Sequence, residues 1–168
     1  MSPSPFRMEA LSEAHGRRAF SCGQEALDRY FQTQATQDIR RRVASCFVAV
    51  ETASGVVAAY YTLASAGIPI TELPAGIAKK LPRYPSIPAV RAGRLAVDVR
   101  FQGRGIGAAL LADALARVMA SGPAAYALLV DAKDESAAAF YRHHGFRPLL
   151  RHPRTLFLPV AGGGKIVR

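Results

Sequence analysis

Three glycines, Gly103, Gly105 and Gly107, follow Gln102 and alternate with Arg104 and Ile106. Glycine lets a backbone turn tightly and approach a ligand closely. The run lies between an apolar segment, Leu95-Ala96-Val97, and a long stretch of helical periodicity. A helix start offers N–H groups without intrahelical partners and the positive end of the helix dipole. Loop and helix start together form a site that can hold a pyrophosphate with few charged side chains, and Arg104 adds a charge-assisted contact at its rim. A Walker-type loop needs Lys-Ser or Lys-Thr after the last glycine, where Ala108-Ala109 stand. A Rossmann-type loop needs Gly-x-Gly-x-x-Gly early in a strand–helix–strand unit, with an acid about 20 residues on. Here the spacing is Gly-x-Gly-x-Gly and the position is late. A tight strand-to-helix connection that binds nothing is a third reading, which the glycines alone leave open.

The elements around this loop follow from periodicity. Phe6 to Leu11 predicts a first strand, and Leu27, Tyr30, Phe31 and Ala35 recur at helical steps between Gln24 and Ile39. That helix leads into Arg40-Arg41-Arg42. Cys46–Glu51 and Val56–Leu63 predict a hairpin turning at Ser54-Gly55. Five prolines between Ala66 and Pro88 argue against long regular structure there, apart from a short helix over Ala75–Leu81. Ala89–Val97 predicts one strand. Gly105–Met119 predicts a helix burying Ile106, Leu110, Leu111, Leu115 and Val118, and Gly122-Pro123 ends it. A strand at Ala125–Val130, a short helix at Ser136–His143 and strands at Phe146–Leu150 and Thr155–Leu158 complete an α/β pattern.

At 168 residues the chain fits a single domain (1–168), with a flexible tail over 161–168. No apolar run reaches the ~20 residues that span a bilayer, and the N-terminus lacks a signal-peptide pattern. Cys22 and Cys46, the two cysteines, make neither a disulfide framework nor a zinc site. A soluble cytoplasmic protein with reduced thiols is expected. Twenty-two Lys and Arg against twelve Asp and Glu give a net charge of +10, which attracts polyanions.

With its elements in this order, the chain resembles the GNAT superfamily of N-acetyltransferases. Gln102, Gly105 and Gly107 match Gln/Arg-x-x-Gly-x-Gly/Ala, with Leu95-Ala96-Val97 upstream and Ala137-x-x-x-Tyr141-x-x-x-Gly145-Phe146 downstream. The resemblance implies an α/β (α+β) fold with a mixed, V-shaped central sheet and helices on both faces. It implies acetyl-CoA as co-substrate and no metal. The pantetheine arm would pair with the backbone of Leu95, Ala96 and Val97 as another strand would, with N–H groups near the thioester oxygen. Gln102, Gly103, Arg104, Gly105, Ile106 and Gly107 would take the pyrophosphate. Tyr141 falls where the family often places a general acid, and a neutral phenol can protonate a departing thiolate. Its residue type and spacing also fit a core aromatic. The family often has Asn where Asp134 stands, so no CoA contact is assigned to that side chain. Asp98 and Glu51 are possible bases for the attacking amine, and both also fit structural roles.

The first half is similar to a narrower group, the GNAT toxins of bacterial toxin–antitoxin pairs. Phe20-Ser21-Cys22-Gly23-x-x-x-Leu27-Asp28-x-Tyr30-Phe31, Gln37-Asp38-x-Arg40-Arg41-x-Val43, Tyr60-Tyr61-Thr62-Leu63, Arg94-Leu95-Ala96-Val97-Asp98 and Asp131-Ala132-Lys133-Asp134 carry this resemblance. It implies acetylation of the α-amino group of aminoacyl-tRNA, a translation block, a homodimer, and a small DNA-binding antitoxin of ribbon-helix-helix type. Arg40, Arg41, Arg42, Lys79, Lys80, Arg83 and Arg91 are candidates for a phosphate track on the RNA, and each also fits a solvated surface. An acetyltransferase for a small amine or a protein N-terminus, and a CoA- or RNA-binding protein without catalysis, are the alternatives.

Overall fold

The computed structural model describes residues 4–161; from residue 162 on, the tail expected to be flexible lies outside the described residues. In chain order the elements are β1 (Phe6–Ala10), α1 (Glu25–Arg29), a π-helical turn (Tyr30–Gln34), α2 (Ala35–Arg40), β2 (Ser45–Glu51), β3 (Val57–Pro69), a 3₁₀ turn (Ile70–Glu72), α3 (Ala75–Ala78), β4 (Ser86–Ala92), β5 (Leu95–Val97), a second 3₁₀ turn (Val99–Phe101), α4 (Ile106–Ala120), β6 (Ala127–Asp131), α5 (Glu135–His143), β7 (Arg147–Pro148) and β8 (Thr155–Pro159). They fall into two compact units, the described residues through Ala64 with Arg94–Asp113, and Ser65–Gly93 with the described residues from Ala114 onward. Along the chain, β3 and α4 each run from the first unit into the second.

In the first unit β1, β2 and the beginning of β3 form an antiparallel meander, with Phe6 opposite Glu51 and Cys46 opposite Thr62. β5 lies antiparallel to β3, Ala59 opposite Val97 and Tyr61 opposite Leu95. The core closes around Tyr60. Its ring stacks on Phe31 with centroids 4.4 Å apart, and Phe20 meets it edge-on at 5.5 Å. Truncating a ring buried like Phe31 costs about 3–5 kcal/mol.

The helix expected over Gln24–Ile39 is present, but its middle is π-helical. The Tyr60 hydroxyl donates to the Leu27 carbonyl at 2.6 Å, and Thr33 Oγ1 donates back to the Arg29 carbonyl at 2.7 Å. Side chains bonding to ladder carbonyls favour such a bulge. The helix ends with Val43 N–H on the Asp38 carbonyl and Arg42 N–H on the Ile39 carbonyl, both at 3.0 Å. This cap needs a left-handed residue, and Arg42 fills the position with φ 61° where glycine is usual.

In the second unit β4 and β6 are parallel, Ala89 opposite Ala127, while β6 and β8, and β8 and β7, are antiparallel. The fold is therefore mixed α/β, as expected. Ile68, Leu73, Ile87, Leu129 and Phe157 form its core. Two expectations are corrected. The single strand over Ala89–Val97 is two: β4 lies parallel to β6, and β5 lies antiparallel to β3. Arg94 marks the break: its N–H donates to Thr62 Oγ1 at 3.2 Å and its carbonyl accepts from Thr62 N–H at 3.1 Å. The proline-rich stretch is also more regular than expected, because β3 runs on to Pro69. Three of its prolines stand at element boundaries, where Pro69 ends β3, Pro74 precedes α3 and Pro85 precedes β4, while Pro88 lies within β4.

Candidate active site

Between β5 and α4 the chain makes the turn expected from its glycines. Gly103 and Gly105 have φ of +79° and +77°, left-handed values that cost other residues about 1–2 kcal/mol. A Cβ at either position would meet nothing within 4 Å, so conformation, not crowding, requires glycine there. Gly107 lies inside α4, whose first turn follows at once. Ile106 is buried and anchors that turn, while Gln102 to Gly105 are exposed. The N–H groups of the first turn of this fifteen-residue helix therefore open beside an exposed loop. The Arg104 guanidinium lies 5.2 Å from the Phe101 ring centre and 3.9 Å from Glu51 Oε2.

Two side chains hold the turn. Gln102 Nε2 donates to the Val97 carbonyl at 2.9 Å and to the Cys22 carbonyl at 3.1 Å, tying the loop to β5. Asp98 is fully buried. Its Oδ1 accepts from the Arg100 amide and Nε, both at 2.9 Å, and its Oδ2 from the Ser21 amide and an Arg100 Nη, both at 3.1 Å. Burial pushes its carboxyl up, but the Arg100 guanidinium and the two amides outweigh burial and hold it below the usual carboxylate range. Sealed and committed to four donors, Asp98 holds the turn and is unsuited to take a proton from an incoming amine. Glu51 is partly exposed and accepts from Ser54 Oγ at 2.6 Å. Cys46 is no nucleophile: burial pushes its thiol up to about 12.

The second unit carries Tyr141. Asp134 caps α5 by accepting from the Ala137 amide at 2.8 Å, so the acid that replaces the family's Asn is a helix cap. Tyr141 is buried against Phe140 and Phe146, with ring centres 5.4 and 5.7 Å away. Burial, with a smaller contribution from Asp131, pushes its phenol up to about 12. The group is neutral at any physiological pH and keeps its proton to give. No hydrogen bond engages its hydroxyl among the described residues, and the one fully sealed polar side-chain atom without a partner is His144 Nδ1. The Tyr141 hydroxyl thus stays open to a ligand.

The basic candidates divide between the units. Arg40, Arg41 and Arg42 are exposed at the end of α2 in the first unit, and Lys79, Lys80 and Arg83 are exposed after α3 in the second. Arg91 differs, since its Nη1 lies 2.6 Å from both oxygens of Asp131. Sequence reading missed the pairing of Arg94 with Tyr30, whose ring centre lies 3.6 Å from the guanidinium carbon. The residues are 64 apart, and only their shared place in the quoted motifs could have drawn attention to them. Among the described residues no group of three or more His, Cys, Asp or Glu is placed to hold a metal ion, and no helix is long and apolar enough to cross a membrane.

Comparison with known proteins supplies a context for this geometry. The acetyltransferase (GNAT) domain profile matches residues 43–148. A tRNA-acetylating toxin of Mycobacterium tuberculosis is 33% identical over 150 residues, 88% of each chain. Among solved structures, AtaT complexed with acetyl-methionyl-tRNAfMet superposes with a TM-score of 0.86 at 32% identity, covering 92% of this chain and 94% of that one. A tyrosine-to-phenylalanine mutant of AtaT, bound to the C-terminus of the antitoxin AtaR and acetyl-CoA, superposes at 0.74 with 28% identity, covering 94% of each chain.

Proposed function

Since the chain belongs to the GNAT acetyltransferase family, we propose that it transfers acetyl from acetyl-CoA to the α-amino group of aminoacyl-tRNA and acts as the toxin of a toxin–antitoxin pair. The observation that carries the reading is the left-handed turn at Gly103 and Gly105 opening onto α4, in a chain similar over most of its length to a tRNA-acetylating toxin.

In this reaction Gln102–Gly107 takes the pyrophosphate and the backbone of Leu95, Ala96 and Val97 pairs with the pantetheine arm. The N–H groups of that strand are donors for the oxyanion that forms as the amine adds to the thioester carbon. The C–S bond then breaks, the nitrogen gives its extra proton to water, and Tyr141 protonates the departing thiolate before regaining a proton from solvent. An α-amino group titrates near pH ~8, and an adjacent ester lowers it further, so a useful fraction is neutral without a protein base. The commitment of Asp98 to the turn agrees with that. The net charge of +10 supports a polyanionic acceptor, with Arg40, Arg41, Arg42, Lys79, Lys80 and Arg83 as its phosphate contacts. The partner in this reading is a small DNA-binding antitoxin of ribbon-helix-helix type, and the toxin is a homodimer, which light scattering tests.

Translation rebuilt from purified components tests the function. Arrest should require acetyl-CoA, and fresh charged tRNA should restore synthesis once the protein is removed. Arrest without acetyl-CoA would mean that the protein acts by binding alone.

A further inference from the structure

One depression in the first unit has no role in the chemistry above. Leu27, Tyr30, Thr33 and Gln34 from α1 and the π-helical turn, with Arg94, line a depression of about 370 Å³. The guanidinium carbon of Arg94 stands 3.6 Å above the centre of the Tyr30 ring. Both partners are held. The Arg94 backbone is bonded to Thr62 in both directions. The Tyr30 hydroxyl donates to Asp38 Oδ2 at 2.8 Å, and Gln34 Nε2 donates to Asp38 Oδ1 at 3.1 Å. Yet among the described residues the guanidinium makes no ion pair and donates no hydrogen bond. An arginine fixed by its backbone and by stacking, with its N–H groups unspent, is prepared for something that is not protein.

Its place in the chain says what. Arg94 directly precedes β5, and consecutive Cα atoms are about 3.8 Å apart. In an aminoacyl ester the amine is only three bonds from the ribose oxygen. An amine that attacks a thioester lying along Leu95–Val97 therefore brings its ribose and base to the start of that strand. Guanidinium planes stack on bases, and their N–H groups bond phosphate and ribose oxygens.

Resting on the proposed acceptor, we infer that this depression receives the 3′-terminal nucleotide of the charged RNA. The base stacks on the outer face of Arg94, whose inner face lies on Tyr30, and the free N–H groups hold a phosphate or ribose oxygen. The π-helical turn serves this site by setting Tyr30 under the guanidinium while Thr33 and Gln34 form its rim.

The test compares kcat/KM on aminoacyl-tRNA with kcat/KM on the methyl ester of the same amino acid, which lacks the nucleotide. Because both rates are measured on one preparation, a loss of folded protein cancels. Arg94→Ala should lower the tRNA-to-ester ratio at least about tenfold, the scale of a lost base stack. Arg94→Lys, which keeps the charge without the plane, should stay nearer to Arg94→Ala than to wild type. An unchanged ratio in Arg94→Ala, with wild type active on charged tRNA, overturns the inference and leaves the function standing. A changed preference among amino acids at an unchanged ratio overturns it too, by placing the aminoacyl side chain in the depression. Wild type active on the ester but inert on charged tRNA would instead sink the proposed function.

Discussion

Asp98, in the turn between β5 and α4, and Tyr141, on α5, are both buried, yet their oxygens are used in opposite ways. The carboxylate of Asp98 is spent on four donors and fixes the loop that precedes α4. The hydroxyl of Tyr141 is spent on nothing among the described residues, while its ring is packed between Phe140 and Phe146. A buried polar group with all its partners is architecture. In the proposed reaction, a buried ring with an uncommitted O–H is a reagent held in place. The first should therefore answer to stability measurements and the second to kinetics.

Tyr141→Phe gives the largest expected effect on rate. It keeps the ring and removes the proton, so kcat should fall by about 10²–10⁴, the range of general acid catalysis, while acetyl-CoA affinity stays within about threefold. Single-turnover transfer and calorimetric binding separate the two. In the wild type kcat should rise as the amine loses its proton and stay level to pH ~10, because burial pushes the Tyr141 phenol up to about 12. A fall in rate between pH ~8 and ~10 would deny it the acid's role.

Asp98→Ala should do the reverse, lowering stability by about 2–3 kcal/mol through the buried amides it orphans, a Tm drop of roughly 5–10 °C. The pH dependence has a definite sign. The folded carboxyl titrates below its unfolded value near ~3.9, so its stabilisation is present above that value and lost as pH falls through the lower, folded one. Asp98→Asn should flatten that acid limb in denaturant titrations.

Gly105→Ala sharpens the comparison within the loop. With no neighbour to strike, its cost is the left-handed backbone, about 1–2 kcal/mol. Because the loop would relax to escape it, acetyl-CoA affinity should drop about tenfold. Arg42→Gly is the smallest. It should raise stability by about 0.5–1 kcal/mol by relieving the left-handed arginine, yet raise KM on charged tRNA a few-fold if Arg42 contacts phosphate. A variant more stable and less active would separate strain from function at that residue.

Features visible in the sequence were those with local causes. Gly103, Gly105 and the apolar rows of α4 state their geometry within a few residues, and the loop and helix stand where they were expected. Tyr141 had a place through resemblance, but its burial and open hydroxyl are tertiary facts. What escaped depends on partners far along the chain. Asp98 is held by Ser21, 77 residues away, and Gln102 by Cys22, 80 residues away. The break between β4 and β5 follows from Thr62, which no reading of Ala89–Val97 contains. The π-helical turn follows from a Tyr60 hydroxyl that reaches Leu27 from a strand. β3 outran its expected end because prolines were read as breakers, although Pro69 stands at the last residue of the strand.

Transfer of radiolabelled acetyl from acetyl-CoA to charged tRNA, with uncharged tRNA as control, tests the proposed acetylation itself. Label should appear in the charged pool alone and be released with the amino acid on alkaline hydrolysis of the ester. Label in both pools, or in neither from protein shown to bind acetyl-CoA, would contradict it and point to a different amine.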